Sequence, residues 1–203
     1  MVYVSSEPGS PVPDLQVTAV KMLVAGGFGV GKTTLVGSVS EIPPLRTEEL
    51  LTELSRDVDS LAGVEAKTTT TVALDFGRIT ISPQLVLYLF GTPGQDRFWF
   101  MWNELSAGAL GAVVLADTRR LDTCFPAVDF FERRGIPFVI GVNCFDGSQQ
   151  YDIDEVREAL DVEGVPVVLC DARLRESCKQ VLIALTEHVI KLAVRRQQSS
   201  ASS

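Results

Sequence analysis

The sequence predicts a three-layer α/β fold, with helices on both faces of a mostly parallel six-stranded sheet that carries one antiparallel edge strand. Three observations carry that prediction. Residues 26–33 form a glycine-rich turn between a β-rich apolar run and a helix-compatible run. Residues 111–116, 137–142 and 165–169 are short, almost continuously apolar runs, as strands buried on both faces require. Segments of helical patterning separate these runs, and that alternation builds parallel sheets.

Residues 1–14 are rich in Pro, Ser and Gly and read as a flexible lead. One domain, residues 15–196, then accounts for the rest up to a polar tail at 197–203, expected to be disordered. A chain of 203 residues can bury about 70% of its unfolded surface in one such domain. Residues 17–25 are apolar apart from Thr18 and Lys21 and form the first strand, and residues 32–40 can continue from the glycine turn as a helix. Pro43 and Pro44 stop that helix. Leu50, Leu51, Leu54, Val58 and Leu61 then recur at helical spacing, which predicts a second helix over 47–61.

Residues 72–81 and 84–90 form two strands joined through Ser82 and Pro83, as in a hairpin. Helices are expected at 95–105, 122–133 and 153–160 between the later strands. The last helix, 176–194, is amphipathic through Val181, Leu182, Leu185, Val189 and Leu192.

The formal charge of −8 and pI near 4.7 disfavour nucleic acid and anionic lipid as partners. Cys124, Cys144, Cys170 and Cys178 show no metal-ligand spacing and read as reduced, buried thiols. No signal-peptide pattern, spanning run or lipid-anchor motif is present, so a cytoplasmic location is expected, with membrane attachment only through partners. His188 and the pair Arg46 and Arg56 read as helix-surface residues, the arginines being the weaker candidates for a catalytic cation. Asp75-Phe76-Gly77 falls within a strand and has no accompanying kinase motif.

The chemistry sits in Gly26-Gly-Phe-Gly-Val-Gly31-Lys32-Thr33, which matches G-x-x-x-x-G-K-[ST] between a strand and a helix. Glycines let successive backbone N–H groups converge, and the start of the following helix adds a positive dipole end, so the loop suits phosphate. Gly29, Val30, Gly31, Lys32, Thr33 and Thr34 are the expected nucleotide contacts. Lys32 would reach the outer phosphates and the Thr33 hydroxyl would bind Mg²⁺.

Two further loops lie after strands at the far end of the sheet, Asn143-Cys-Phe-Asp146 and Asp171-Ala-Arg173. Here the chain resembles the Ras-like small GTPases. Their Asn-Lys-x-Asp motif maps onto Asn143–Asp146 and their Ser-Ala-Lys motif onto Asp171–Arg173. The resemblance implies a G domain that binds GTP or GDP with Mg²⁺. In it Asp146 accepts the two donors of guanine, and Asn143 and Arg173 line the base site. The Ala172 N–H would meet the guanine oxygen.

Gly91-Thr-Pro-Gly94-Gln95 matches the second switch of these proteins. Gly94 is then expected against the γ-phosphate and Gln95 behind the attacking water, with Lys32 as its catalytic companion. Thr71 aligns with the first-switch threonine that caps the metal, with Thr70 and Thr69 as neighbouring alternatives. Two departures stand out. Gly91 replaces an aspartate that helps hold Mg²⁺, and Cys144 replaces a lysine that packs on the base, which together imply weak metal binding, reduced affinity and slow turnover.

Gly91, Pro93 and Cys144 make the chain similar to prokaryotic small GTPases of the gliding-polarity MglA type. It is still more similar to actinobacterial conservon GTPases, and the likeness covers about residues 17–194. It implies a signalling switch whose partners are a roadblock-type protein and a sensor kinase-like protein. A holding module that hydrolyses nothing, and an ATP-dependent enzyme sharing the loop, remain open.

Overall fold

A computed structural model describes residues 17–43, 45–51, 70–94, 100–147 and 151–201. It contains, in chain order, β1 (Thr18–Gly26), α1 (Lys32–Val39), β2 (Leu45–Leu51), β3 (Thr70–Ser82), β4 (Leu85–Gly91) and α2 (Phe100–Ser106). There follow β5 (Gly111–Ala116), a 3₁₀ turn at Leu121–Cys124, α3 (Phe125–Arg134), β6 (Phe138–Asn143), α4 (Ile153–Ala159), β7 (Val167–Cys170) and α5 (Arg175–Ala201). The strands form one sheet in the order β2-β3-β4-β1-β5-β6-β7.

β1 pairs in parallel with β4 and β5, and β5-β6 and β6-β7 are also parallel. β3 alone runs against the others, pairing antiparallel with both β2 and β4. The expected fold class therefore holds, with a seventh strand, β2, added outside the antiparallel one.

Every residue of β5 and β6 is buried, and alternate side chains enter two cores. Met22, Val24, Val113, Leu115 and Val139 face one core with Leu35, Val36, Val181 and Leu185 of α1 and α5. Leu23, Ala112, Val114 and Ile140 face the other with Trp102, Phe131 and Val156 of α2, α3 and α4. A strand covered on both faces has no polar side, which is why these runs lack alternation in the sequence.

Phe131 is fully buried and stacks against Trp102, with Phe130 and Phe138 close by. α1 packs so closely on β3 that a Cβ at Gly77 would lie 2.8 Å from Val36 Cγ1, which gives the glycine of Asp75-Phe76-Gly77 a packing role.

Two expectations are corrected. Residues 47–51 belong to β2 and not to a helix, and the rest of the expected helix, 52–61, lies outside the described residues. The leucine spacing fits either structure over so short a stretch. Pairing with β3 from Leu45↔Phe76 to Leu51↔Thr70 satisfies backbone groups that an edge strand would leave open. At the other end α5 continues to Ala201, so residues 197–201, expected in a tail, are helical. Once the packed part of a helix has formed, each added residue gains a hydrogen bond at low entropic cost, and Ser199 Oγ also donates to the Arg195 carbonyl at 3.0 Å.

Candidate nucleotide-binding site

The strand order reverses at β1, which has β4 on one side and β5 on the other, and the loop leaving its C-terminal end lies at that switch point. Gly31 stands at the N-cap of α1 with φ 107°, a left-handed conformation that side chains resist. The first N–H groups of α1 therefore turn toward the loop's concavity.

Lys32 is 8% exposed, and its ammonium donates to the Gly26 carbonyl at 2.9 Å and the Gly27 carbonyl at 2.7 Å. Burial pulls its pKa down to about 8 against the opposing pull of Asp75. Gly94 lies directly over it, since a Cβ there would be 2.4 Å from Lys32 Nζ and 3.0 Å from the Gly27 backbone. Lys32 and Gly94 thus meet at the phosphate loop.

Thr33 is exposed, and its hydroxyl donates to Asp75 Oδ2 at 2.7 Å. Asp75 lies on β3, directly opposite Gly91 on β4. A Cβ at Gly91 would fall 2.9 Å from Asp75 Cβ and 3.0 Å from Asp75 Oδ2. A carboxylate thus stands across the strand pair from position 91, and the glycine is the space it needs. Motif alignment along the chain missed Asp75. The only trace in the sequence is an acid within the apolar strand beside a position that lacks the expected one.

A hydroxyl and a carboxylate form a hard oxygen pair of the sort Mg²⁺ prefers. Next to Gly91 the Thr92 hydroxyl is buried, and no partner is found for it among the described residues.

The loops after β6 and β7 are assembled around Asn143, which is 6% exposed at the end of β6. Its Nδ2 donates to the Val30 carbonyl at 2.9 Å, and its Oδ1 accepts the Ala172 N–H at 3.0 Å. One side chain therefore ties the phosphate loop, the β6 loop and the β7 loop together. The Ala172 N–H, expected against the guanine oxygen, here donates to Asn143.

Arg173 donates to both oxygens of Asp146, Nη1 to Oδ2 at 2.6 Å and Nη2 to Oδ1 at 2.9 Å. It also grips Asp171 through Nε at 2.9 Å and Nη2 at 2.8 Å. Those bonds hold the Asp171 carboxyl down at about 2 and Asp146 below the ordinary carboxylate range.

The loop after β5 supplies what sequence reading did not single out. Asp117 is 1% exposed and forks to Arg119 through Nε and Nη2, both at 2.8 Å. The Arg119 guanidinium lies 4.1 Å from the Phe145 ring centroid in the loop after β6, and Arg120 Nη2 donates to the Phe28 carbonyl of the phosphate loop at 3.3 Å. Arg120 thus contacts the phosphate loop from the turn after β5. An Asp-Thr-Arg-Arg run at the end of an apolar strand was the available signal.

Thr34 is exposed on the first turn of α1. Thr71 lies in β3 opposite Leu50, and its backbone is about 13 Å along the strand from Asp75 at the usual rise per residue. β3 therefore does not bring Thr71 to Thr33. Gln95 lies outside the described residues. Cys124, Cys170 and Cys178 are free and buried, and burial raises their thiols to about 12, 12 and 11, leaving them unreactive.

A phosphate loop at the switch point of a mixed sheet, with Lys32 and Thr33 in place, defines a P-loop nucleotide-binding protein of the G-domain fold. The FeoB G domain from Methanococcus jannaschii matches with TM-score 0.60 and 13% identity over 85% of this chain and 99% of that one. The G domain of the T. maritima FeoB iron transporter matches with TM-score 0.60 and 18% identity, over 84% of this chain and 99% of that one.

The chain belongs to the family described as conserved hypothetical ATP binding protein, whose pattern spans residues 24–192. An uncharacterized protein of Methanocaldococcus jannaschii is 33% identical over 129 residues, 63% of this chain and 71% of that protein. Among the described residues no helix is long and apolar enough to cross a membrane.

Proposed function

We propose that the chain is a guanine-nucleotide switch that hydrolyses GTP slowly and relies on a partner to speed it. The observation that carries the proposal is the Thr33 hydroxyl bonded to Asp75 at the mouth of the phosphate loop. That pair supplies hard oxygens where motif alignment along the chain finds only Gly91, so a metal-dependent triphosphate site is complete without the usual aspartate.

The residues act in sequence. Lys32 leaves the Gly26 and Gly27 carbonyls for the β- and γ-phosphate oxygens, and Gly94 lifts to admit them. Amides of Gly29 to Thr34 would bind the phosphates, and Thr33 and Asp75 are the residues that would hold Mg²⁺. When bound, Mg²⁺ neutralises charge on the phosphates. Gln95 orients the attacking water, Gly94 donates its N–H to the γ-phosphate, and loss of that phosphate lets the segment relax. For Thr71 to cap the metal, this end of β3 must leave its pairing with β2.

Guanine is the proposed base because Asp146 can accept its N1–H and amine together, which adenine does not offer. The resemblance to MglA-type and conservon GTPases read from Gly91, Pro93 and Cys144 is the ground for a role in bacterial signalling. A roadblock-type protein and a sensor kinase-like protein are then the partners to try first, with any membrane contact made through them.

Single-turnover phosphate release from GTP with Mg²⁺ tests the proposal. A half-time of roughly half an hour or longer is expected, since intrinsic turnover even in Ras is only about 3–5 × 10⁻⁴ s⁻¹. A roadblock-type partner should shorten it. No phosphate release with excess Mg²⁺ and these partners would leave a module that only holds its nucleotide.

A further inference from the structure

Guanine meets a carboxylate with an N–C–N fragment that carries a donor on each nitrogen, N1–H and the exocyclic amine. An arginine guanidinium presents the same fragment with the same fork. In this structure Arg173 applies that fork to Asp146, one nitrogen to each oxygen at 2.6 and 2.9 Å. We infer that Arg173 is an internal competitor for the guanine edge, and so sets how tightly the site takes guanine nucleotides. This rests on the guanine reading above.

The surroundings fit a competitor that can step aside. Asp171 holds the same guanidinium through Nε and Nη2, and its Oδ1 also accepts the Arg173 N–H at 2.9 Å. Arg173 can therefore release Asp146 and still keep a carboxylate partner. The Asp146 side chain is 84% exposed and that of Arg173 54%, whereas Asp171 is 21% exposed. The pair that must open faces solvent, and the pair that stays is the more sheltered one. Exposed ion pairs are weak, so guanine displaces the fork at a modest loss of affinity while adenine, which needs no carboxylate, is indifferent to it.

The test is titration of the full chain with ribose-labelled fluorescent GDP and ADP, using wild type, Arg173→Ala, Arg173→Lys and Asp146→Asn. Arg173→Lys keeps the charge and cannot fork, so it separates competition at the base from attraction of phosphate and guards against a misfolded alanine variant. Both Arg173 variants should bind GDP about 1.5- to fivefold more tightly, the range of an exposed pair, with ADP unchanged. GDP affinity equal to or below wild type in both variants overturns the inference. If Asp146→Asn leaves the preference for GDP over ADP untouched, the guanine reading itself fails and the competitor role falls with it. If Asp146→Asn abolishes that preference while the Arg173 variants are inert, only the competitor role fails.

Discussion

Lys32 gives the residue scale its sharpest consequence. In the nucleotide-free fold its pKa falls from 10.5 to about 8 because burial penalises the charged form. Between those values the unfolded chain holds a proton that the fold has lost, so the nucleotide-free protein gains stability as pH rises through that window. Triphosphate acts in the opposite sense, because it needs the ammonium charged. Nucleotide binding above pH 8 should therefore take up a proton, and affinity should fall by up to about tenfold per pH unit. Calorimetry in buffers of different ionisation enthalpy reads the proton directly. Affinity that stays flat from pH 7 to 9.5 would show that Lys32 does not meet the phosphates.

At the scale of elements the site depends on strand register. Asp75 stands opposite Gly91, and a Cβ at position 91 would come 2.9 Å from Asp75 Cβ. Gly91→Asp alone should cost about 1–3 kcal/mol through crowding and paired like charge. Asp75→Gly alone should weaken Mg²⁺-dependent nucleotide binding about 10- to 100-fold, the cost typical of losing a group that supports a metal site. The exchange Asp75→Gly with Gly91→Asp returns one carboxylate to the same place and should recover most of that loss. Binding measured with and without chelator distinguishes these outcomes, and failure of the exchange to recover any affinity would detach Asp75 from the metal. The same register explains what was legible beforehand. The phosphate loop could be read because its glycines, lysine and threonine are local, and the buried strands because they are continuously apolar. Asp75 could not be read that way, since no pattern along the chain says which residue of β3 faces Gly91. β2 was misread because seven residues with leucines at both ends satisfy a helix as well as a strand.

For the whole molecule, the fold joins the loops at the carboxyl edge of the sheet through a few polar contacts. Asn143 links the phosphate loop to the loops after β6 and β7, Ser38 of α1 donates to the Ala172 carbonyl at 2.6 Å, and Arg120 reaches Phe28. The motif positions told in advance that these loops converge, because carboxyl ends of parallel strands share one edge of the sheet. They did not tell that Asn143 would hold the Ala172 N–H or that Arg173 would close on Asp146, since those are choices among side chains that the fold has already gathered. The central claim is that this assembled site takes guanine nucleotides. Equilibrium binding of GTP, GDP and ATP to the purified, nucleotide-stripped chain with Mg²⁺ tests it most directly. Guanine nucleotides should bind at least about 100-fold more tightly than ATP, because a site built to meet polar donors rejects a base that lacks them. ATP binding as tightly as GTP, or more tightly, would contradict it.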